Sequence, residues 1–224
     1  MYKLIILIPA ALMFISCTKK NVEDVNKKID TSSKILGRDV DTVVQKLDTA
    51  IKKIAGADSV FNKVEILDVD ESKLSSTKTR KKLNSVLEQY LDIKEDLQDN
   101  DSISVNKQAR ELRESLLDVQ AEAGAESKQN KWNLWVSSVE KLAASLETAK
   151  TLREQRSLFN DLSSDLETML MNFGVYSETV FKLKCARLNT IWLTKSKDLR
   201  NPYYGTDNAN KEPCAEVVNA WRFD

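Results

Sequence analysis

Thr151-Leu-Arg-Glu-Gln-Arg-Ser-Leu-Phe-Asn-Asp-Leu-Ser-Ser-Asp-Leu-Glu-Thr-Met-Leu-Met-Asn-Phe-Gly174 is the stretch that decides the fold class. Leu152, Phe159, Leu162, Leu166, Met169 and Phe173 recur at steps of three, four and seven, which lines them along one face of a helix. Thr151 and Glu154 have capping-box spacing, so each side chain can satisfy a free backbone N–H of the first turn. Gly174 is placed to end the helix in a left-handed conformation.

The same alternation of threes and fours runs back through the chain. Trp132, Val136, Val139, Ala143, Leu146 and Ala149 form one stripe. Val105, Ala109, Leu112, Leu116, Val119 and Ala123 form a second, and Leu83, Val86, Leu87, Tyr90 and Leu97 a third. Asn100-Asp101 breaks the first two helices apart, and Gly124 to Asn130 is polar enough for a turn. Apolar seams of this period suit helices packed nearly antiparallel across short loops. The expected fold is all-α: an up-down four-helix bundle over 78–174, an additional N-terminal helix and loop over 39–77, and an irregular C-terminal cap over 175–224. Trp132 and Trp135 lie in helical register and read as core.

Composition narrows the function. Lys and Arg number 34, Asp and Glu also 34, so the chain lacks the basic excess of a nucleic-acid binder. Histidine is absent, which removes the commonest general base and the commonest metal ligand. No serine sits in a nucleophile-elbow context and no cysteine has a base to activate it. Paired carboxylates such as Asp68 and Asp70 read as solvated loop residues. No enzyme and no catalytic residue are expected.

Residues 1–17 have the pattern of a secretion signal: Lys3, an apolar run from Leu4 to Ile15, then Phe14-Ile-Ser-Cys17 as a lipobox. The run falls short of the ~20 apolar residues that span a bilayer. Cys17 is the expected lipidation site and 18–38 a polar tether. Thr18 after the cysteine, rather than Asp, points to the outer membrane, on its periplasmic face or the cell surface.

After Gly174 the period changes. Phe181, Leu183 and Cys185 alternate with Lys182 and Lys184, as in a short half-buried strand or extended arm. Trp192 and the turn-forming Asn201-Pro-Tyr-Tyr-Gly205 follow, between Cys185 and Cys214. Trp192 and Pro202, with Leu199, are expected to pack the cap onto a bundle end.

Leu87-Glu-Gln-Tyr90-Leu-Asp-Ile-Lys94-Glu-Asp-Leu97, Glu154-Gln-Arg156-Ser-Leu-Phe159-Asn-Asp-Leu162-Ser163, Trp192-Leu-Thr-Lys-Ser196 and Asn201-Pro-Tyr-Tyr-Gly205 together resemble the domain of unknown function 3347 family. Its members occur as envelope lipoproteins and as extra domains of heavy-metal efflux adaptors. The resemblance spans about 80–218 and implies a copper-type metal-handling module whose partner is an efflux system or another envelope protein. In that family the first cysteine belongs to a Cys-Pro-Met triplet and the second to a Met-x-x-Cys-Gly ending, a sulfur set that selects Cu(I). Here Ala186 and Arg187 follow Cys185, Ala215 follows Cys214, and no methionine lies beyond Met171.

Two readings of Cys185 and Cys214 remain open. With Cys17 lipidated, an even pair of thiols in an oxidising compartment suits a disulfide. Alternatively two thiolates suffice for linear Cu(I), whereas zinc would need carboxylates such as Asp207, Glu212 or Glu216 as well. The first makes the chain a structural or interaction lipoprotein presenting Tyr203, Tyr204 and Arg200. The second makes it a metal-binding module.

Overall fold

The computed structural model describes residues 60–70, 72, 74–123, 129–205 and 214–224. Cys17, the tether and the additional helix expected near 39–55 lie outside the described residues.

Four helices form the bundle: α1 (Thr77–Gln98), α2 (Ser102–Ala123), α3 (Gln129–Thr148) and α4 (Leu152–Asn172). Each buries the stripe read from the sequence: Leu83, Leu87 and Leu97 from α1, Leu112 from α2, Val139 and Leu146 from α3, and Phe159, Leu162 and Leu166 from α4 are inaccessible to solvent. Ser76 caps α1, its hydroxyl accepting from the Thr79 N–H at 3.2 Å. Thr151 caps α4 through the Glu154 N–H. The return bond of the box goes one residue further back, from the Lys150 N–H to Glu154 Oε2 at 3.2 Å. Asn100 turns α1 into α2 at φ 61°, and Gly174 closes α4 at φ 74° with its N–H on the Met169 carbonyl.

The C-terminal part corrects the all-α expectation. It is a four-stranded mixed sheet rather than an irregular cap: β1 (Ile66–Asp68), β2 (Glu178–Cys185), β3 (Thr190–Thr194) and β4 (Glu216–Phe223), in the order β1-β4-β2-β3. β2 pairs antiparallel with β3, Leu183 facing Trp192, and with β4, Phe181 facing Ala220. A register shift between Lys182 and Leu183 interrupts the second ladder. β1, inside the segment expected as a loop, adds parallel to β4 through Ile66–Asp68 against Ala220–Arg222. The stretch 57–77 thus supplies an edge strand to a sheet whose other members lie more than a hundred residues later.

The sheet shares one core with the bundle. Trp192, Leu193, Leu183 and Ala220 are fully buried together with Tyr90, Phe159 and Leu170 of the helices. Phe61, just before β1, sets its ring edge-on against Phe181 at 4.9 Å. Trp132 and Trp135 gather around Phe173 with ring centroids 5.0 and 5.7 Å away, and are core residues.

Candidate functional site: the disulfide-clamped cap

A chain of hydrogen bonds ties β3 to two helices. The Leu193 N–H donates to the Tyr90 hydroxyl at 2.9 Å, and Tyr90 pairs with Ser163 at 2.8 Å. Ser163 in turn donates to the Phe159 carbonyl one turn back along α4. Burial pushes the Tyr90 hydroxyl well above its ordinary pKa, so it stays a neutral donor and acceptor. The Tyr90 ring stacks on Phe159 at 4.9 Å. Asn160 Oδ1 accepts from the Ile191 N–H, and the Tyr203 hydroxyl donates to the Ile191 carbonyl at 2.6 Å.

The Asn201–Gly205 motif forms a latch over one pole of the bundle. Asn201 Oδ1 accepts from the Tyr203 N–H at 2.8 Å, an Asx turn, while its Nδ2 donates to the Cys214 carbonyl at 2.9 Å. Arg156, from the first turns of α4, donates through Nε to the Pro202 carbonyl at 2.9 Å. Its Nη2 reaches both the Leu97 carbonyl and Asn100 Oδ1. Gly205 must be glycine here: it lies at φ 61°, and a Cβ would fall 1.8 Å from Asn100 Oδ1. Gln98 donates to the Arg200 carbonyl at 2.6 Å, and the Arg200 guanidinium bridges Asp198 and Asp99. Beside them Lys94 is only 2% exposed and reaches Glu95 at 3.7 Å. Burial lowers its pKa, against the pull of Glu95 and Asp198.

Cys185, the last residue of β2, and Cys214, just before β4, are joined by a disulfide. Cys185 is fully buried and Cys214 partly so. The Tyr204 hydroxyl lies 3.9 Å from the Cys185 sulfur and accepts from Arg187 Nε at 2.8 Å. A thiolate ligand needs a free sulfur. With both sulfurs bonded to each other, the residues present do not fit a soft metal, and Glu216 is an exposed strand residue. Asp207 and Glu212 lie outside the described residues. Among the described residues no three acidic or sulfur groups converge as a ligand set.

Trp192 is part of the core shared by sheet and bundle, Leu199 packs against that core, and Pro202 is buried. Tyr203, expected on a presenting surface, instead turns inward between Phe159 and Trp192, at ring distances of 5.9 and 6.2 Å. Arg200 is engaged by two carboxylates. Arg200 nonetheless stays exposed, while Tyr204 is half-buried under Arg187. Sequence reasoning read Asn100 as a helix break and Arg156 and Ser163 as parts of a motif, but gave none of them a role at this site. They carry ordinary helix-surface residue types, and only long-range geometry reveals their use.

Residues 86–178 match the family model described as a protein of unknown function (DUF3347). This segment is a DUF3347 domain. The match covers most of α1, all of α2, α3 and α4, and ends as β2 begins. Cys185, Cys214, Trp192 and the Asn201–Gly205 latch therefore lie beyond the matched segment. No curated protein and no solved structure matches the chain.

Proposed function

We propose that this protein, which carries a DUF3347 domain, is a non-enzymatic, lipid-anchored protein of the cell envelope that works as a protein-interaction module with a disulfide-clamped cap. The Cys185–Cys214 bond is the observation that carries the reading. It occupies the two sulfurs on which copper handling of the kind suggested by the efflux-adaptor resemblance would depend. It also closes the ring that holds the latch, whose polar groups are committed to fixing the sheet on the bundle. Such bonds persist on the oxidising side of a membrane, which accords with export and anchoring through Cys17, here assigned to the outer membrane. The even balance of 34 basic and 34 acidic residues supports a protein rather than a nucleic-acid partner.

Titrating the purified protein with Cu(I) against a competing chelator, before and after reduction, tests the proposal. The oxidised protein should leave the copper with the competitor. One Cu(I) held per chain without reduction would overturn the interaction reading in favour of metal handling. Replacing Cys17 by Ser should abolish metabolic labelling with a palmitate analogue, and labelling that persists would refute the anchor.

A further inference from the structure

On the outer side of the α3–α4 pair runs a groove lined by Lys131, Leu134, Trp135, Ser138, Asp165 and Thr168. Leu134 stands 75% exposed on its lip, beside the buried Trp135 of the floor. The charges at the two ends differ. Lys131 touches only the neutral Asn172 Oδ1, at 3.4 Å, among the described residues. Asp165 accepts from Ser138 at 2.6 Å and has no cation within ion-pair distance among the described residues. Burial, with Asp161 nearby, raises the Asp165 pKa, as expected of a carboxylate lacking a counter-ion.

Seven residues separate Lys131 from Ser138, about 10 Å along α3. A two-fold axis passing between Leu134 and Trp135 therefore sets Lys131 of one copy level with Ser138 and Asp165 of the other, twice over. The same operation lays each Leu134 on the other copy's Trp135 and Thr168. Isologous contacts require this kind of self-match, in which one residue meets another and the second meets the first.

We propose that the α3–α4 groove is a homodimer interface, closed by reciprocal Lys131–Asp165 ion pairs across a Leu134–Trp135 centre. The occupant is a second copy of this chain because the groove supplies its own complement in charge and in apolar surface. The contact is weak: it is small in area, and two rim ion pairs add little each.

Sedimentation equilibrium of the full chain in density-matched detergent tests this. Dimer should be measurable at about 100 µM, where a dissociation constant of that order leaves a large share of chains paired. L134D, at an exposed site that leaves the core intact, should give monomer. K131E alone sets a second carboxylate against Asp165 at both ends, and D165K alone sets a second ammonium against Lys131. Each should weaken dimerisation roughly tenfold or more. An equimolar mixture of K131E and D165K restores attraction between unlike copies and should pair better than either variant alone. A monomeric wild-type chain, a dimer indifferent to L134D and K131E, or a mixture no better than its components would each overturn the assignment.

Discussion

Replacing Gly205 by Ala tests whether the latch holds cap to bundle. The new Cβ lies 1.8 Å from Asn100 Oδ1 and 2.4 Å from Arg156 Nη2, at a backbone φ of 61°. Left-handed backbone costs an L-residue about 1–2 kcal/mol. Relieving the overlap displaces the Asn100 side chain and breaks its 2.6 Å bond from Arg156. A hydrogen bond to a charged group contributes about 1.5–3 kcal/mol. The two effects together predict a loss of about 3–5 kcal/mol by urea unfolding. In a unit of this size that lowers Tm by roughly 6–20 °C. Asn100→Gly removes both the clashing oxygen and the left-handed strain at Asn100, itself at φ 61°. The double variant should therefore be at least about 1 kcal/mol more stable than the sum of the single losses. Gly174→Ala is a milder control, since its Cβ meets the movable end of Leu74 at 2.6 Å. A G205A protein within about 0.5 kcal/mol of the parent would refute the latch, because that is the range of an ordinary surface change.

Other perturbations follow from the same geometry. Tyr90→Phe strands the buried Leu193 N–H and should cost about 1–3 kcal/mol in urea unfolding, although the ring still fills its space. Cys185→Ala with Cys214→Ala opens a ring of sequence separation 29 and should cost about 3–4 kcal/mol on the chain-entropy estimate, with helical circular dichroism retained. Asp96 has its pKa raised to about 6, first by burial and then by Asp101, Asp92, Asp99 and Glu95. A raised pKa means that the folded state holds the proton more tightly than the unfolded chain, so stability from this group falls as pH climbs from about 4 through 6. Asp96→Asn should add about 1 kcal/mol at pH 7.5 and little at pH 4, the gain being limited because much of the side chain meets solvent. Unfolding curves at the two pH values check both sign and size.

The bundle was legible because its information is local. Each stripe repeats within one helix, and Thr151, Asn100 and Gly174 mark ends where the backbone requires them. The sheet was not legible, for the opposite reason. β1 is three residues long, too short for a period, and its partner lies about 150 residues away. In β4 the buried residues are Val217, Ala220, Trp221 and Phe223, so the register shift against β2 breaks the alternation that would announce a strand. β3 buries Trp192, Leu193 and Thr194 in succession, a run that reads equally as a packed loop. Only β2, with Phe181, Leu183 and Cys185 alternating, showed its strand character beforehand. At the candidate site the motif residues were visible, but their role was reversed for Tyr203. A tyrosine beside a turn reads as surface, and nothing in the local sequence reveals the Phe159 and Trp192 rings that enclose it.

Peptide mapping of the purified protein without reduction shows whether the cap is a disulfide-clamped sheet. The expected result is one cross-linked peptide joining Cys185 to Cys214, absent after reduction, with no alkylated cysteine at either position beforehand. Recovery of both cysteines alkylated from protein kept under oxidising conditions would contradict it and return the two sulfurs to the metal-ligand reading.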